Sequence, residues 1–187
     1  MLNVGVNRSC IAVRKTSLMS RLTVSCTLLL FLAAPCLCVA ADAANNVAIS
    51  ATVLTSCRVN SGALNFNTYD PVSLHASTPL QRSGIFRVNC TNGSSALAKL
   101  SQGNNPGNGS SDASPVRRME GDPGVYLSYE LYQDASYSTT WGNTNATGKS
   151  LTGSGTQSNV PVYGRISPGQ PVPQGTYSDT IFITVSF

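Results

Sequence analysis

IFITVSF, the stretch at residues 181–187, decides the fold class. Its side chains alternate, and the set that we expect to face inward is Ile181, Ile183, Val185 and Phe187. Successive side chains of a β-strand point to opposite faces, so a period of two buries one set and leaves the other outside. We therefore predict a half-buried antiparallel strand at the C-terminal end of the chain.

The same alternation recurs at three places upstream, at residues 47–53, 85–90 and 125–132. Turn dipeptides such as Asn92-Gly93 and Pro168-Gly169 separate the runs, and no stretch has the 3.6-residue apolar period of a helix. Short alternating strands with such punctuation are typical of an all-β sandwich. The polar, Gly-rich stretch 102–115 is interpreted as a mobile loop.

The first 43 residues have the composition of a secretory signal peptide. Basic residues precede an apolar run at residues 22–37, which is shorter than a membrane span requires, and small residues follow it. We predict cleavage after Ala43, with Ala40 as the second choice. Translation from Met19 would give the signal an ordinary length.

Charge lies unevenly along the chain. Four of the 12 Lys and Arg residues precede residue 42, whereas all 8 Asp and Glu residues lie at or after it, so residues 42–187 carry equal numbers of basic and acidic residues. The net positive charge therefore belongs to the leader. This removes the electrostatic basis for a nucleic-acid partner.

The cysteines divide in the same way. Four of the six lie in the leader, and only Cys57 and Cys90 remain in the exported part. Two cysteines in an exported domain favour one disulfide, which would constrain the unfolded chain by roughly 3–4 kcal/mol. A metal pair would need two further ligands, and His75 is the only histidine. We predict neither a metal nor a cofactor.

Catalytic residue patterns are scarce. His75 stands in a small polar segment without a nucleophile-elbow motif and is interpreted as an exposed loop histidine. Glu120 and Asp122 flank a Pro/Gly turn, where solvated carboxylates are the ordinary case. We predict that the protein is not an enzyme. Several of Trp141 and the tyrosines at 126–137 are interpreted as core or tyrosine-corner residues, with an exposed sugar-binding surface as the alternative.

The segment that follows the leader, residues 44–56, is predicted to be an N-terminal extension. Its run NVAISATVLT, residues 46–55, carries no charge, although edge strands ordinarily carry charges that deter pairing. The side chains that we expect to enter a sheet or groove are Val47, Ile49, Ala51 and Val53. Pattern alone leaves open whether the segment pairs within its own sheet or in another copy.

Several blocks along the chain, in order, carry a family resemblance. They are TSCRV (55–59), LNFNTYDP (64–71), IFRVNCT (85–91), LSYELYQD (127–134), VYGRI (162–166) and VPQGTYSDTIFITVSF (172–187). From about Val53 to Phe187 the chain resembles the spore coat protein U (SCPU) domain family, which includes the Csu-type subunits of archaic chaperone–usher pili.

The resemblance implies that residues 57–187 form an incomplete immunoglobulin-like β-sandwich. A periplasmic chaperone would complete it first, and the next subunit's extension would replace the chaperone at an outer-membrane usher. The implied function is that of a structural pilus subunit at the cell surface, in adhesion and biofilm formation, with other subunits as partners. We expect the acceptor groove to adjoin the strand at 181–187. The alternative function is a free secreted coat or carbohydrate-binding protein.

Overall fold

The computed structural model describes residues 42–187. The predicted signal peptide therefore lies, except for its last two residues, outside the described residues. The chain divides into two units, Met1–Ala48 and Ile49–Phe187, and the strands of residues 42–187 belong to the second. Residues 42–187 contain strands and turns, and none of them forms a helix that could cross a membrane.

The described residues contain eight strands, which are numbered in chain order. They are β1 (Cys57–Ala63), β2 (Leu80–Cys90), β3 (Ser95–Leu100), β4 (Arg117–Glu120), β5 (Tyr126–Tyr132), β6 (Lys149–Thr152), β7 (Gln157–Ile166) and β8 (Ile183–Ser186). One sheet has five strands in the order β1-β2-β7-β5-β4, and the other has three in the order β6-β3-β8. Every strand pair is antiparallel. The prediction of an all-β fold is confirmed.

The core lies between the two sheets. Alternation in β2 buries Phe86, Val88 and Cys90, and alternation in β5 buries Leu127 and Leu131. From the other sheet, β3 contributes the buried side chains Ala96, Ala98 and Leu100. The inward sets are the ones that a two-residue period requires, because one face of each sheet is packed and the other is solvated.

Residues 46–54 form no strand in the single chain, so this segment does not pair within its own sheets. One strand prediction needs correction. The C-terminal strand is shorter than predicted, and Phe187 follows its end with 59% of its surface exposed, so it does not face inward. Five of the eight strands in residues 42–187, β1, β3, β4, β6 and β7, lie outside the alternating runs given above.

The polar stretch 102–115 contains no strand, but it is anchored at several points. The backbone N–H of Asn104 donates to Asp179 Oδ1 (2.9 Å), and Arg118 Nη2 donates to the carbonyl oxygen of Pro106 (2.9 Å). Gln102 Nε2 also donates to a carboxylate oxygen of Asp112 within the loop (3.0 Å). The expectation of a freely mobile loop does not match these bonds.

Candidate functional site

A groove of about 1280 Å³ opens between the two sheets. Its floor lies directly on core side chains, which are Phe86, Leu100, Tyr129, Leu131, Val162 and Ile166. One wall is formed by residues 61–71, where the chain leaves β1, and the other by residues 172–181, where it approaches β8. The fold therefore leaves part of its apolar interior accessible from one side.

Both strands beside the groove are edge strands. β1 is outermost in the five-stranded sheet and β8 is outermost in the three-stranded sheet, and the two approach each other without forming a ladder. All residues of β1 after Cys57 are exposed. An edge strand presents unpaired backbone N–H and C=O groups. The groove consequently lies between the outer strands of the two sheets.

The rim at β1 depends on two glycines. The register between β1 and β2 shifts between Asn60 and Ala63, which is a β-bulge. A Cβ added to Gly62 would collide with the carbonyl oxygen of Ile85, and one added to Gly84 would collide with that of Ala63. Only glycine therefore allows the two backbones to approach so closely at this rim.

The predicted C-terminal set is divided by the structure. Ile181 and Ile183 line the groove and pack against the core. Val185 packs against the core beyond the groove, and Phe187 lies outside. Of the four predicted side chains, Ile181 and Ile183 therefore line the groove, and Val185 and Phe187 do not.

The C-terminal wall is held by polar contacts. Tyr129 Oη donates to Asp179 Oδ2 (2.7 Å), and the backbones of Glu120 and Ser178 exchange two hydrogen bonds of 2.9 and 3.0 Å. Burial, reinforced by Asp179, raises the pKa of Tyr129 far above its ordinary value. The phenol therefore stays protonated and continues to donate. Glu120, considered above as a catalytic carboxylate, instead has a structural place in β4.

The opposite wall continues into a rigid turn around His75. Asp70 N–H donates to His75 Nδ1 (3.1 Å), His75 N–H donates to the Asp70 carbonyl oxygen (2.8 Å), and the imidazole stacks on Tyr69 with ring centroids 5.4 Å apart. His75 is only 6% exposed. The interpretation as an exposed histidine was wrong, because the ring is used as a buried hydrogen-bond acceptor that closes this turn.

A buried arginine joins the sheets below the C-terminal wall. Arg117 is fully buried, and its Nη2 donates to the carbonyl oxygens of Leu100 (3.2 Å), Ser101 (2.8 Å) and Trp141 (2.7 Å). Its Nη1 lies 3.8 Å from Glu130 Oε2. Burial lowers the pKa of Arg117 and raises that of Glu130, while their mutual attraction opposes both changes. The guanidinium thus supplies donors for backbone acceptors where β3 ends.

The predicted donor side chains lie in an unpaired segment. Val47 is 83% exposed, Ile49 93% and Val53 82%, and Ala51 is also exposed. The structure brings none of them into a strand. Residues 46–54 therefore form no part of the two sheets of the described chain.

The predicted bridge between Cys57 and Cys90 is present. It joins the start of β1 to the end of β2, where the two residues are register partners. Because the groove is lined by β1 only from Ser61 onward, the disulfide lies at the other end of the sandwich. It closes the end from which the N-terminal segment leaves.

The aromatic residues are largely structural. Trp141 is fully buried, its Nε1 donates to the carbonyl oxygen of Ala98 (2.9 Å), and its ring packs against Phe86 with centroids 5.9 Å apart. Tyr132 is also buried, in edge-to-face contact with Tyr137. The core interpretation therefore holds for Trp141 and Tyr132. Among the described residues, no group of three or more His, Cys, Asp and Glu side chains could hold a metal ion.

Sequence reasoning did not single out Arg117, Asp179 or the two rim glycines. Arg117 lies in a four-residue strand and Asp179 lies outside the strands, so neither has a periodic signal that would distinguish it from a solvated residue. Gly62 and Gly84 had a usable signal, since a glycine inside a strand often marks a bulge or a close backbone approach.

Comparison with known proteins gives the family. The Spore Coat Protein U domain model matches residues 43–184. Protein U of Myxococcus xanthus is 43% identical over 155 residues, which cover 79% of this chain and 87% of that protein. A chain in the crystal structure of the CsuC–CsuE chaperone–tip adhesion subunit pre-assembly complex, from the archaic chaperone–usher Csu pili of Acinetobacter baumannii, is 24% identical with a TM-score of 0.47. That match covers 73% of this chain and 40% of the Csu chain. The chain described here belongs to the Spore Coat Protein U domain family.

Proposed function

We propose that the chain is a structural subunit of a surface pilus that polymerises by strand donation, with residues 46–54 of one copy filling the groove of another. The observation that supports this proposal is that one molecule has both an open apolar groove and an unpaired apolar segment. The groove opens onto the core between two unpaired edges. The segment is apolar, uncharged and unpaired within the described part of the chain.

Strand donation would cover the open groove and pair the free segment at the same time. A strand beside β8 forms a backbone ladder, and its alternate side chains reach the groove floor and fix the register. Val47, Ile49 and Val53 are 82–93% exposed, so nearly their whole side chains are available for burial. With Ala51, this burial contributes on the order of 5–8 kcal/mol before ordering costs.

The direction of donation follows from the strand pattern. All strand pairs are antiparallel, so an antiparallel strand added to β8 would end beside Ile183, which lines the groove together with Ile166. Ile166 pairs with Leu80 at the start of β2, whereas the donor segment leaves its own sandwich beside Cys90 at the end of β2. Donor and acceptor features lie at opposite ends. Such a head-to-tail contact produces an open fibre rather than a closed dimer.

The proposed route also defines partners and location. A subunit with an open groove and unpaired edges is prone to aggregation, so a periplasmic pilus chaperone would cover the groove until exchange at an outer-membrane usher. The Cys57–Cys90 bridge fits passage through an oxidising compartment. The fibre would then be displayed at the cell surface, where it would support adhesion and biofilm formation. No catalytic step is required.

Deletion of residues 45–54 tests the proposal. We expect the truncated protein to remain bound to a co-expressed chaperone, and to form a soluble 1:1 complex, without fibres, when a peptide of residues 45–54 replaces that chaperone. The full-length mature chain should form polymers that size-exclusion chromatography resolves. Fibre growth from the truncated chain, or a full-length monomer that refolds alone and stays monomeric, would refute strand donation.

The family description supports a second candidate, a secreted coat protein that acts outside a pilus. This candidate predicts a chain that associates with a cell or spore surface without an usher. Reversible refolding of the isolated, full-length mature chain would favour it. A carbohydrate-binding role gains less support, because Trp141 is buried in the core.

A further inference from the structure

The N-terminal segment is fastened where it leaves the sandwich. Thr91 N–H donates to the carbonyl oxygen of Ser56 (2.9 Å), and Ser56 N–H donates to Thr91 Oγ1 (3.0 Å). Thr91 Oγ1 also donates to the carbonyl oxygen of Leu54 (3.2 Å). Three bonds thus hold residues 54–56 on the body of their own copy. The free part of the segment ends at Val53.

This fastening limits the distance between neighbouring copies, and the step rests on the proposed function. Val53 would be the last side chain in the neighbour's groove, whereas Leu54 is held by Thr91 of its own body. Consecutive Cα atoms are separated by about 3.8 Å. No flexible linker remains between them, so the two sandwiches must touch where the strand enters the groove.

The turn at residues 70–75 continues the groove wall at that entrance, since Asp70 and Pro71 line the groove. Asp70 Oδ1 accepts hydrogen bonds from the backbone N–H groups of Val72 and Ser73, both at 3.0 Å. These bonds hold the pKa of Asp70 below its ordinary value. The turn is therefore rigid, yet Val72 is 87% exposed and Leu74 69%.

The turn at residues 70–75 presents Val72 and Leu74 where the neighbouring copy must touch it, at the entrance of the groove. We propose that the turn tip, defined as Val72 and Leu74, packs against the exit corner of the neighbouring copy, defined as Leu54 and residues 91–93. Leu54 is 77% exposed and offers a matching aliphatic surface, and the Asn92-Gly93 turn is exposed beside it. This second contact fixes the angle between successive subunits.

Paired cysteines test the contact in full-length mature protein. In a Leu74→Cys/Asn92→Cys chain the two thiols stand near opposite ends of β2, which has 11 residues and spans roughly 35 Å. A disulfide needs Cα atoms within about 7 Å, so the pair cannot close within one copy. We expect mild oxidation of the polymer to give a ladder of covalent multimers that a reductant removes. The two single variants and Leu74→Cys/Ser150→Cys, whose second site is exposed on edge strand β6, should give none.

The outcomes separate this contact from strand donation itself. Polymers that form normally but give no ladder would overturn the contact and leave donation standing. Failure of the unoxidised protein to polymerise would overturn both. A second measurement is fibre bending in electron micrographs. Val72→Asp/Leu74→Asp fibres should assemble with a wider spread of angles between subunits, whereas Ser73→Asp, exposed on the same turn, should not change the spread. Equal spreads for both variants would also overturn the contact.

Discussion

Two adjacent substitutions in the donor segment separate the two faces of the proposed strand. Ile49→Asp places a carboxylate on the set expected to enter the groove, and Ser50→Asp places the same charge on the set expected to remain outside. Both positions are exposed, so neither change should alter the stability of the sandwich by more than about 0.5 kcal/mol. A difference between them can then arise only when the segment is bound.

The size of the difference follows from the exposure of Ile49. Its side chain is 93% exposed in the free segment, so full burial contributes about 2–3 kcal/mol, which the aspartate loses. At 1.4 kcal/mol for each factor of ten, the loss corresponds to roughly 30- to 150-fold weaker binding. Desolvation of the carboxylate against the apolar floor weakens binding further. Ser50→Asp should stay within about threefold of the unchanged peptide.

The assay uses the chain that lacks residues 45–54, refolded with fluorescent peptides of residues 45–54. Peptide dissociation constants come from competition in fluorescence anisotropy, and the thermal midpoint of each complex provides a second measurement. Size-exclusion chromatography of full-length variants then tests polymer formation. Equal weakening by the two substitutions, or none by Ile49→Asp, would contradict an alternating strand in the groove.

Four further predictions concern the sandwich itself, and each is checked by denaturation or fluorescence of the peptide-complemented protein. Replacing Cys57 and Cys90 by serine should lower the free energy of unfolding by roughly 3–4 kcal/mol in urea titrations, because the bridge closes a separation of 33 residues. Arg117→Met should cost about 3 kcal/mol in the same titration, since it removes four hydrogen bonds to carbonyl oxygens and leaves Glu130 half-buried without its partner. The hydroxyl of Ser136 and backbone N–H groups nearby hold the pKa of Asp134 well below its ordinary value of 3.8, so the stabilisation by this carboxylate is complete above pH 3.8 and is lost as the pH falls toward the folded-state pKa. Asp134→Asn should therefore reduce the change of the thermal midpoint between pH 2 and 4. Trp141 emission should resist acrylamide quenching and should not respond to added sugars, because the indole is fully buried.

Alternation was a sufficient signal for strands that have one packed and one solvated face. In β2 it identified the buried side of Phe86 and Val88, and in β5 that of Leu127 and Leu131. Residues 46–54 have an equally regular pattern but form no strand in the single chain. A period of two describes which side chains could be buried together, but a strand exists only where another strand completes its ladder.

Other features left no readable pattern because they depend on contacts between distant parts of the chain. β3 reads SALAKL, in which small residues conceal the buried face, and β6 has only four residues. Arg117 is buried because carbonyl oxygens of Leu100 and Trp141 converge on it from other parts of the fold. His75 resembled a surface histidine because its partner Asp70 and its stacking partner Tyr69 are joined to it by a turn, which leaves no periodic trace.

The four outer edges of the two sheets differ in how they are protected, and this difference bears on where a new strand would bind. β1 carries Arg58 and a bulge, β6 begins with Lys149, and β4 is covered by the bridge between Glu120 and Ser178. Charges, bulges and coverage are the devices that deter a sheet edge from pairing. β8, with the sequence ITVS, has no charge, no proline and no bulge in its pairing with β3. If strand donation occurs as proposed, β8, which lies beside a groove that reaches the core, is therefore the edge at which we expect the incoming strand to pair.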